Sequence, residues 1–349
     1  LIKIILLKKL FTLTFILFSF FANADYWTQK ADYPGVGLVN TCSFAIGNKG
    51  YISCGGDGSP FTNELWEYDQ ATNLWTQKAN LPGTARAYAF SFSIGNKGYV
   101  GTGLYAGALD DFWEYDPSIN GWTQKADFAD RISAVGFSIG NMGYAGTGSD
   151  DVSDFNDFWQ YNPATNTWLQ KASLPGSARY NSIGFAMGNY GYIAGGFDNG
   201  LLNTVYQYNT LTNVWVQKAS LPYGRSEAAA FSICDKGFLA TGVKGGVTNW
   251  AINELIEYNS VTNTWVLKAN YMGAGWYENI GFSIGTKGYL GLGTDMNFNY
   301  HNDFWEYTPD SACITGIEEE LSSSDLEFTI SPNPAKDYLI ISYPLAGKE

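Results

Sequence analysis

The chain is a succession of short runs rich in Phe, Tyr, Trp, Ile and Val, each closed by Gly, Asn, Asp or Pro. Runs of this length and composition, bounded by turn residues, predict strands rather than helices. The clearest set lies at residues 86–126, with strand-like runs at Arg86–Ile94, Lys97–Gly103, Asp111–Tyr115 and Trp122–Ala126, named a, b, c and d. The set recurs six times. Its glycines Gly50, Gly98, Gly143, Gly191, Gly237 and Gly288 are 45 to 51 residues apart. Four short strands repeated at this period predict an all-β fold, a six-bladed β-propeller of four-stranded antiparallel blades.

The links between runs carry their own signals. The a–b link reads Asn96-Lys97-Gly98, which predicts a three-residue hairpin loop with Gly98 at positive φ. The c–d link reads Tyr-Asp/Asn-x-x-x-Asn-x-Trp, as in Tyr161 to Trp168, and suits Asn166 to a left-handed position. Strand d opens on Trp27, Trp75, Trp122, Trp168, Trp215 and Trp265. Aromatic residues that recur in every unit point to packing between blades, whereas a row of sugar-stacking platforms would need only a few of them.

These features together resemble the kelch motif: a small-Gly or Gly-Gly pair ending strand b, then Tyr-Asp-x-x-x-Asn-x-Trp. The pair is read at Gly55-Gly56, Thr102-Gly103, Thr147-Gly148, Gly195-Gly196, Thr241-Gly242 and Leu292-Gly293. The resemblance covers about residues 26–308 and implies a kelch-type propeller of the galactose-oxidase-like kind.

The two ends of the chain differ from this body. Lys3, Lys8 and Lys9 precede the apolar run Leu10–Phe21, and Ala22-Asn23-Ala24 follows. This is the pattern of a signal peptide at residues 1–24, with a retained membrane anchor as the alternative. Tyr26-Trp27-Thr28-Gln29-Lys30-Ala31 matches strand d but precedes any a, b or c, and the sixth unit lacks its own d. The first strand is therefore expected to complete the last blade of a propeller spanning 25–310. Of the cysteines Cys42, Cys54, Cys234 and Cys313, the first two fall on adjacent strands. A disulfide between them is one alternative; a one-residue difference in register would instead put them on opposite faces.

Residues 311–326 read as an acidic, Ser-rich linker. Ser331-Pro332-Asn333-Pro334-Ala335 with Asp337 and an alternating strand then resembles the opening of the C-terminal sorting domain of the type IX secretion system, here 327–349 and truncated. The resemblance implies export by a Bacteroidetes-type bacterium, contact with the type IX machinery, and release or attachment at the cell surface.

Alternating strand direction places the b–c and d–a links on one face. The b–c links are long and varied, from Gly56–Asn63 to Thr294–Asp303, and such loops are where a rigid ring carries recognition. Arg86, Arg131, Arg179 and Arg225 share one position at the start of strand a, where the other units hold Leu38 and Trp276. Four guanidinium groups near the channel would meet an anion bidentately; alternatively they pair with neighbouring loop carboxylates. Asp150, Asp151, Asp154 and Asp157 crowd one b–c loop without matching an established calcium loop. His301 is the one histidine. With it alone, catalytic constellations are poor, no Gly-x-Ser-x-Gly elbow occurs, and no phosphate loop or cofactor motif stands out.

A formal charge of −13 argues against nucleic acid and anionic membranes as partners. The expected function is a monomeric, secreted or cell-surface module binding a protein or glycan, with Arg86, Arg131, Arg179, Arg225, Trp276 and His301 as candidate contacts. The alternative is a carbohydrate-active enzyme, epimerase- or lyase-like, built on His301, Arg131, Arg179 and Glu227 at the channel mouth.

Overall fold

The computed structural model describes residues 24–56, 60–245 and 250–310, with two short segments at 329–331 and 340–342. No helix occurs among the described residues. The first unit holds six four-stranded antiparallel sheets, each in the order a-b-c-d. Strands a are Cys42–Ile46, Phe90–Ile94, Val135–Ile139, Ile183–Met187, Ala229–Ile233 and Ile280–Ile284. Strands b begin at Lys49, Lys97, Met142, Tyr190, Lys236 and Lys287. The sixth blade is completed by Tyr26–Gln29, which pairs with Phe304–Thr308 in the register Trp27 to Tyr307. The predicted closure is thus observed. The second unit, 314–349, contributes a two-stranded antiparallel ribbon of Thr329–Ser331 and Ile340–Ser342. The signal-peptide reading, 1–24, lies outside the described residues except for Ala24, as do most of the linker and sorting-domain residues.

Each strand a alternates buried and half-buried positions. The buried side chains, such as Phe90 and Phe92, face neighbouring blades. The half-buried ones, Ala45, Ser91, Ser93, Gly136, Ser138, Gly184 and their equivalents, line a channel cavity of about 280 Å³. Six strands converging on one axis leave room only for small residues there.

The repeated glycine of strand b does a different job from the one its position suggested. The a–b link is a two-residue turn, since Ile94 pairs with Lys97, and the positive φ falls on Gly95, not Gly98. Gly98 lies inside strand b, where a Cβ would overlap the ring of Phe44 from the preceding blade. The same holds for Phe92 on Gly143, Phe137 on Gly191, Phe185 on Gly237, Phe231 on Gly288 and Phe282 on Gly50. The last of these contacts carries the pattern across the ring closure. Six aromatic rings therefore seat on six backbone patches, and only the residue without a side chain leaves the space.

The Asn-x-Trp part of the motif forms the outer seam. Trp75, Trp122, Trp168, Trp215 and Trp265 donate their indole N–H to the carbonyls of Ala31, Ala79, Ala126, Ala172 and Ala219 in the preceding blade, at 2.7–3.0 Å. Trp27 does the same to Ala269 at 2.9 Å. The Asn two residues before each Trp sits at positive φ and accepts from a strand-c Tyr and from the same Ala N–H, as Asn120 does from Tyr115 and Ala79. In the sixth blade Asp25 takes this place, accepting from Tyr307 at 2.9 Å and Ala269 N–H at 2.7 Å.

The Gly pair at the end of strand b forms the inner seam. Gly103, Gly148, Gly196, Gly242 and Gly293 have φ between 83° and 109°, and their N–H groups bond to the carbonyls of Arg131, Arg179, Arg225, Trp276 and Leu38 in the next blade at 2.7–3.0 Å. In the first blade this role belongs to Gly55, bonded to Arg86 O at 2.7 Å, so the pair there is Cys54-Gly55 rather than Gly55-Gly56. A Cβ on this second glycine would meet a carbonyl oxygen at 2.6–3.0 Å in all six blades. The residue before it tolerates Cys, Thr, Gly or Leu, which is why only one glycine of the pair is invariant here. Cys42 and Cys54 are both buried free thiols of one core cluster; Cys42 faces Ser53 across the ladder, and the two thiols lie in hydrogen-bond contact with each other.

Candidate functional site

The four arginines of the shared column are sequestered. Arg86 and Arg225 are 0% exposed, and Arg131 and Arg179 are as fully buried. Arg86 forms a bidentate pair with Asp111 and donates to Thr84 and Thr102 carbonyls. Arg131 donates to Asp157 at 2.9 Å and lies flat over Phe155, 3.6 Å from the ring centre. Arg179 bonds to Ser177 O, Gly195 O and Thr204 Oγ1, and Arg225 to Thr241 O and Glu254 O. Each guanidinium is engaged inside its own blade, and each residue's carbonyl serves the inner seam. The column is a structural joint and does not offer four cations to a ligand. Its carboxylate pairing holds for two blades; the other two rely on carbonyls and a hydroxyl. Burial without a facing carboxylate pushes Arg225 down to about 9.

The remaining sequence candidates scatter. Trp276 is half-buried, and its indole donates to Gly273 O at 3.3 Å. His301 stands in the b–c loop of the sixth blade with Nε2 3.4 Å from Asp295. Asp150 turns back to cap the backbone of Val152 and Ser153, and Asp157 is taken by Arg131. The structure does not bring His301, Arg131, Arg179 and Glu227 to one place: the arginines are spent within their blades, and of the four only Glu227 lines the mouth.

The mouth itself is built two residues beyond the arginine column. Asn40, Tyr88, Ser133, Asn181, Glu227 and Glu278 each stand at φ between 50° and 59°, one per blade. Their backbones form a belt: Tyr88 N–H bonds to Asn40 O, Ser133 to Tyr88, Asn181 to Ser133, Glu227 to Asn181 and Glu278 to Glu227, at 2.9–3.3 Å. Non-Gly residues visit this conformation rarely, so its recurrence marks a conformation imposed by the belt. The belt rims a cavity of about 130 Å³ on the loop-rich side.

One arc of this rim is acidic. Asn181 donates to Glu227 at 2.9 Å. Burial raises the Glu227 carboxyl. Burial, then the charge of Glu227, pushes Glu278 up to about 7, against a weaker opposing hydrogen bond from Asn40. Among the described residues neither glutamate has an ion-pair partner.

Glu278, Asn40 and Tyr88 also wall a second, larger cleft of about 370 Å³. Phe61, Tyr277, Phe298 and Tyr300 add aromatic walls, and Val39, Leu104 and Thr294 complete the lining with Gly56. Trp250 braces Tyr277 edge-on, with ring centres 4.9 Å apart. Apart from Glu227, sequence reasoning passed over these residues. The signal that finds them is positional: each rim residue stands two after the Arg/Leu/Trp column, so an alignment of the six units places Glu227 and Glu278 in one file.

Comparison with known proteins agrees with this architecture. Residues 186–222 match the kelch motif family. No curated protein matches the chain. A solved structure titled "Structure of YjhT" superposes with a TM-score of 0.69 at 16% identity, covering 79% of this chain and 95% of that one. At that identity the likeness speaks for the fold. The chain is a six-bladed propeller carrying the kelch motif in its fourth blade.

Proposed function

We propose that the chain is an exported binding module, secreted or held at the cell surface, that recognises a protein or glycan through the face bearing its b–c and d–a links. The observation that carries the reading is the contrast within one ring. Five of the six a–b turns place glycine at positive φ, whereas the six b–c links take five different lengths, and the mouth and the aromatic cleft open on the b–c side. The kelch propeller suggests protein binding, and the signal-peptide and sorting-domain patterns of the sequence support export. Affinity capture from culture together with a glycan array tests the reading. Ligand capture abolished by Phe298→Ala with Tyr300→Ala, but kept after changes on the a–b turns, is the expected result. Equal capture by both variants contradicts it.

A second reading, chemistry on a sugar, has one observation in its favour. The carboxyl of Glu278, raised to about 7, is matched to proton transfer near neutral pH. The small-residue channel beneath it supplies no further acid or base. Sugar substrates followed by NMR with wild type and Glu278→Gln decide it; turnover lost in the variant supports an enzyme.

A further inference from the structure

We propose that the aromatic cleft and the acidic arc beside it form a receptor for a basic side chain, lysine or arginine, presented by a partner protein. This rests on the loop-face reading above and names the group that the face selects.

Three independent features converge. First, Glu227 and Glu278 stand side by side in the belt, linked by the 3.0 Å bond between their backbones, and no cation answers them among the described residues. Two carboxyls in that position repel one another, and a cation is the group that relieves both. Secondly, the cleft that ends at Glu278 is walled by aromatic faces and is large enough, at about 370 Å³, for a whole side chain. Rings along the stem and carboxylates at the end match a long apolar chain tipped with positive charge. Thirdly, Tyr277 is 5% exposed, yet its hydroxyl has no hydrogen-bond partner. The neighbouring Thr294 hydroxyl is turned to the carbonyls of Asp295 and Asn299. A buried hydroxyl without a partner is costly and marks a place for a polar group that arrives from outside.

The protein source follows from the rim and the overall charge. Phe298 is 65% exposed and Tyr300 is also exposed at the cleft edge, giving apolar area beyond what one side chain covers. A formal charge of −13 attracts a basic surface and repels an acidic one.

The groups facing Glu278 fix the pH response. They are Glu227 from the fifth blade, Tyr88 from the second, Asn40 from the first, and Tyr277 and Tyr300 from its own blade. Tyr88 and Tyr277 are both raised to about 12, by burial first and then by the glutamates, so they stay neutral across the useful range. Glu278 is ionised above about 7 and neutral below, so affinity for a cation falls as pH drops through that value.

The test uses the purified chain with Nα-acetyl-lysine amide and Nα-acetyl-arginine amide, their uncharged counterparts from norleucine and citrulline, and a lysine-containing peptide before and after side-chain acetylation. Calorimetric titration near pH 8 is expected to give at least about tenfold tighter binding of each cation than of its neutral counterpart. The peptide is expected to bind about tenfold tighter again than the lone amide, through the exposed rim. Glu227→Gln with Glu278→Gln abolishes the preference for charge, and lowering the solution to about pH 5.5 weakens cation binding. Phe298→Ala, at an exposed position, weakens peptide binding without altering the fold. Equal binding of cation and neutral counterpart, or an affinity unmoved by the double Glu variant, overturns the proposal. Equal affinity for amide and peptide overturns its partner-protein half. A partner captured through the loop face but indifferent to the double variant sinks this inference and leaves the loop-face reading standing.

Discussion

The seams between blades and the rim of the mouth are made from the same six repeats and behave in opposite ways. At the seams every blade repeats one solution: a Phe ring against a bare glycine, an indole on an alanine carbonyl, a glycine N–H on the next blade's carbonyl. At the rim the backbone repeats while the side chains do not, running Asn, Tyr, Ser, Asn, Glu, Glu. A ring built by repetition can vary a residue cheaply only where that residue carries no joint. The rim is such a place, because its belt is held by main-chain bonds indifferent to the side chain. Variation concentrated there separates recognition from stability within a single turn of chain.

Breaking the seam at the closure should have the largest effect. Removing residues 25–31 takes away the fourth strand of the last blade, the Trp27 indole bond and both bonds to Asp25. Thermal unfolding is expected to lose its single cooperative transition or to move down by tens of degrees; an unchanged melt would show the ring closed by other means. Next comes Arg86→Ala, which leaves Asp111 without its buried partner and should cost about 3–5 kcal/mol in denaturant unfolding. The same change at the exposed rim of the cleft, Tyr300→Ala, should cost under about 1 kcal/mol. Gly98→Ala places a methyl group against the Phe44 ring and should destabilise by about 1–3 kcal/mol, while leaving any ligand affinity intact.

A change at the acidic arc sharpens the contrast by reversing its sign. Glu278 carries a raised carboxyl pKa of about 7 against an ordinary value near 4.5. The folded state holds that proton more tightly than the unfolded chain, so stability declines as pH rises from about 4.5 through 7. Glu278→Gln removes the penalty and should stabilise by about 1–3 kcal/mol near pH 8, with little change near pH 4. A destabilised variant at both pH values would mean that the glutamate belongs to the joints after all.

Much of the ring was readable from the chain itself. The number of strands and blades and the borrowed first strand follow from where aromatic runs and turn residues fall, because those patterns are local; the start of strand a does not, since it was read at Arg86 and lies at Phe90. The reason for Gly98 was not readable. A glycine near a turn has an obvious local explanation, and the ring that actually demands it, Phe44, lies in another blade. The arginine column was found but misplaced. Strand a begins at Phe90, and the positive φ at Tyr88 swings the chain so that Arg86 turns into its own blade while the residue two later faces the mouth. Nothing in Tyr, Ser or Glu announces such a backbone, so the acidic arc needed coordinates to be seen.

The borrowed strand also sets a timetable. Trp27 meets a carbonyl 242 residues further along the chain, so the Tyr26–Gln29 strand finds its place only after Phe304–Thr308 exists. Until then the first and last blades each expose a bare edge, and the joining of chain ends so distant is slow by its loop-closure cost. Whatever guards the nascent protein must therefore guard it to the end of the sixth blade, since no shorter fragment can bury both edges at once.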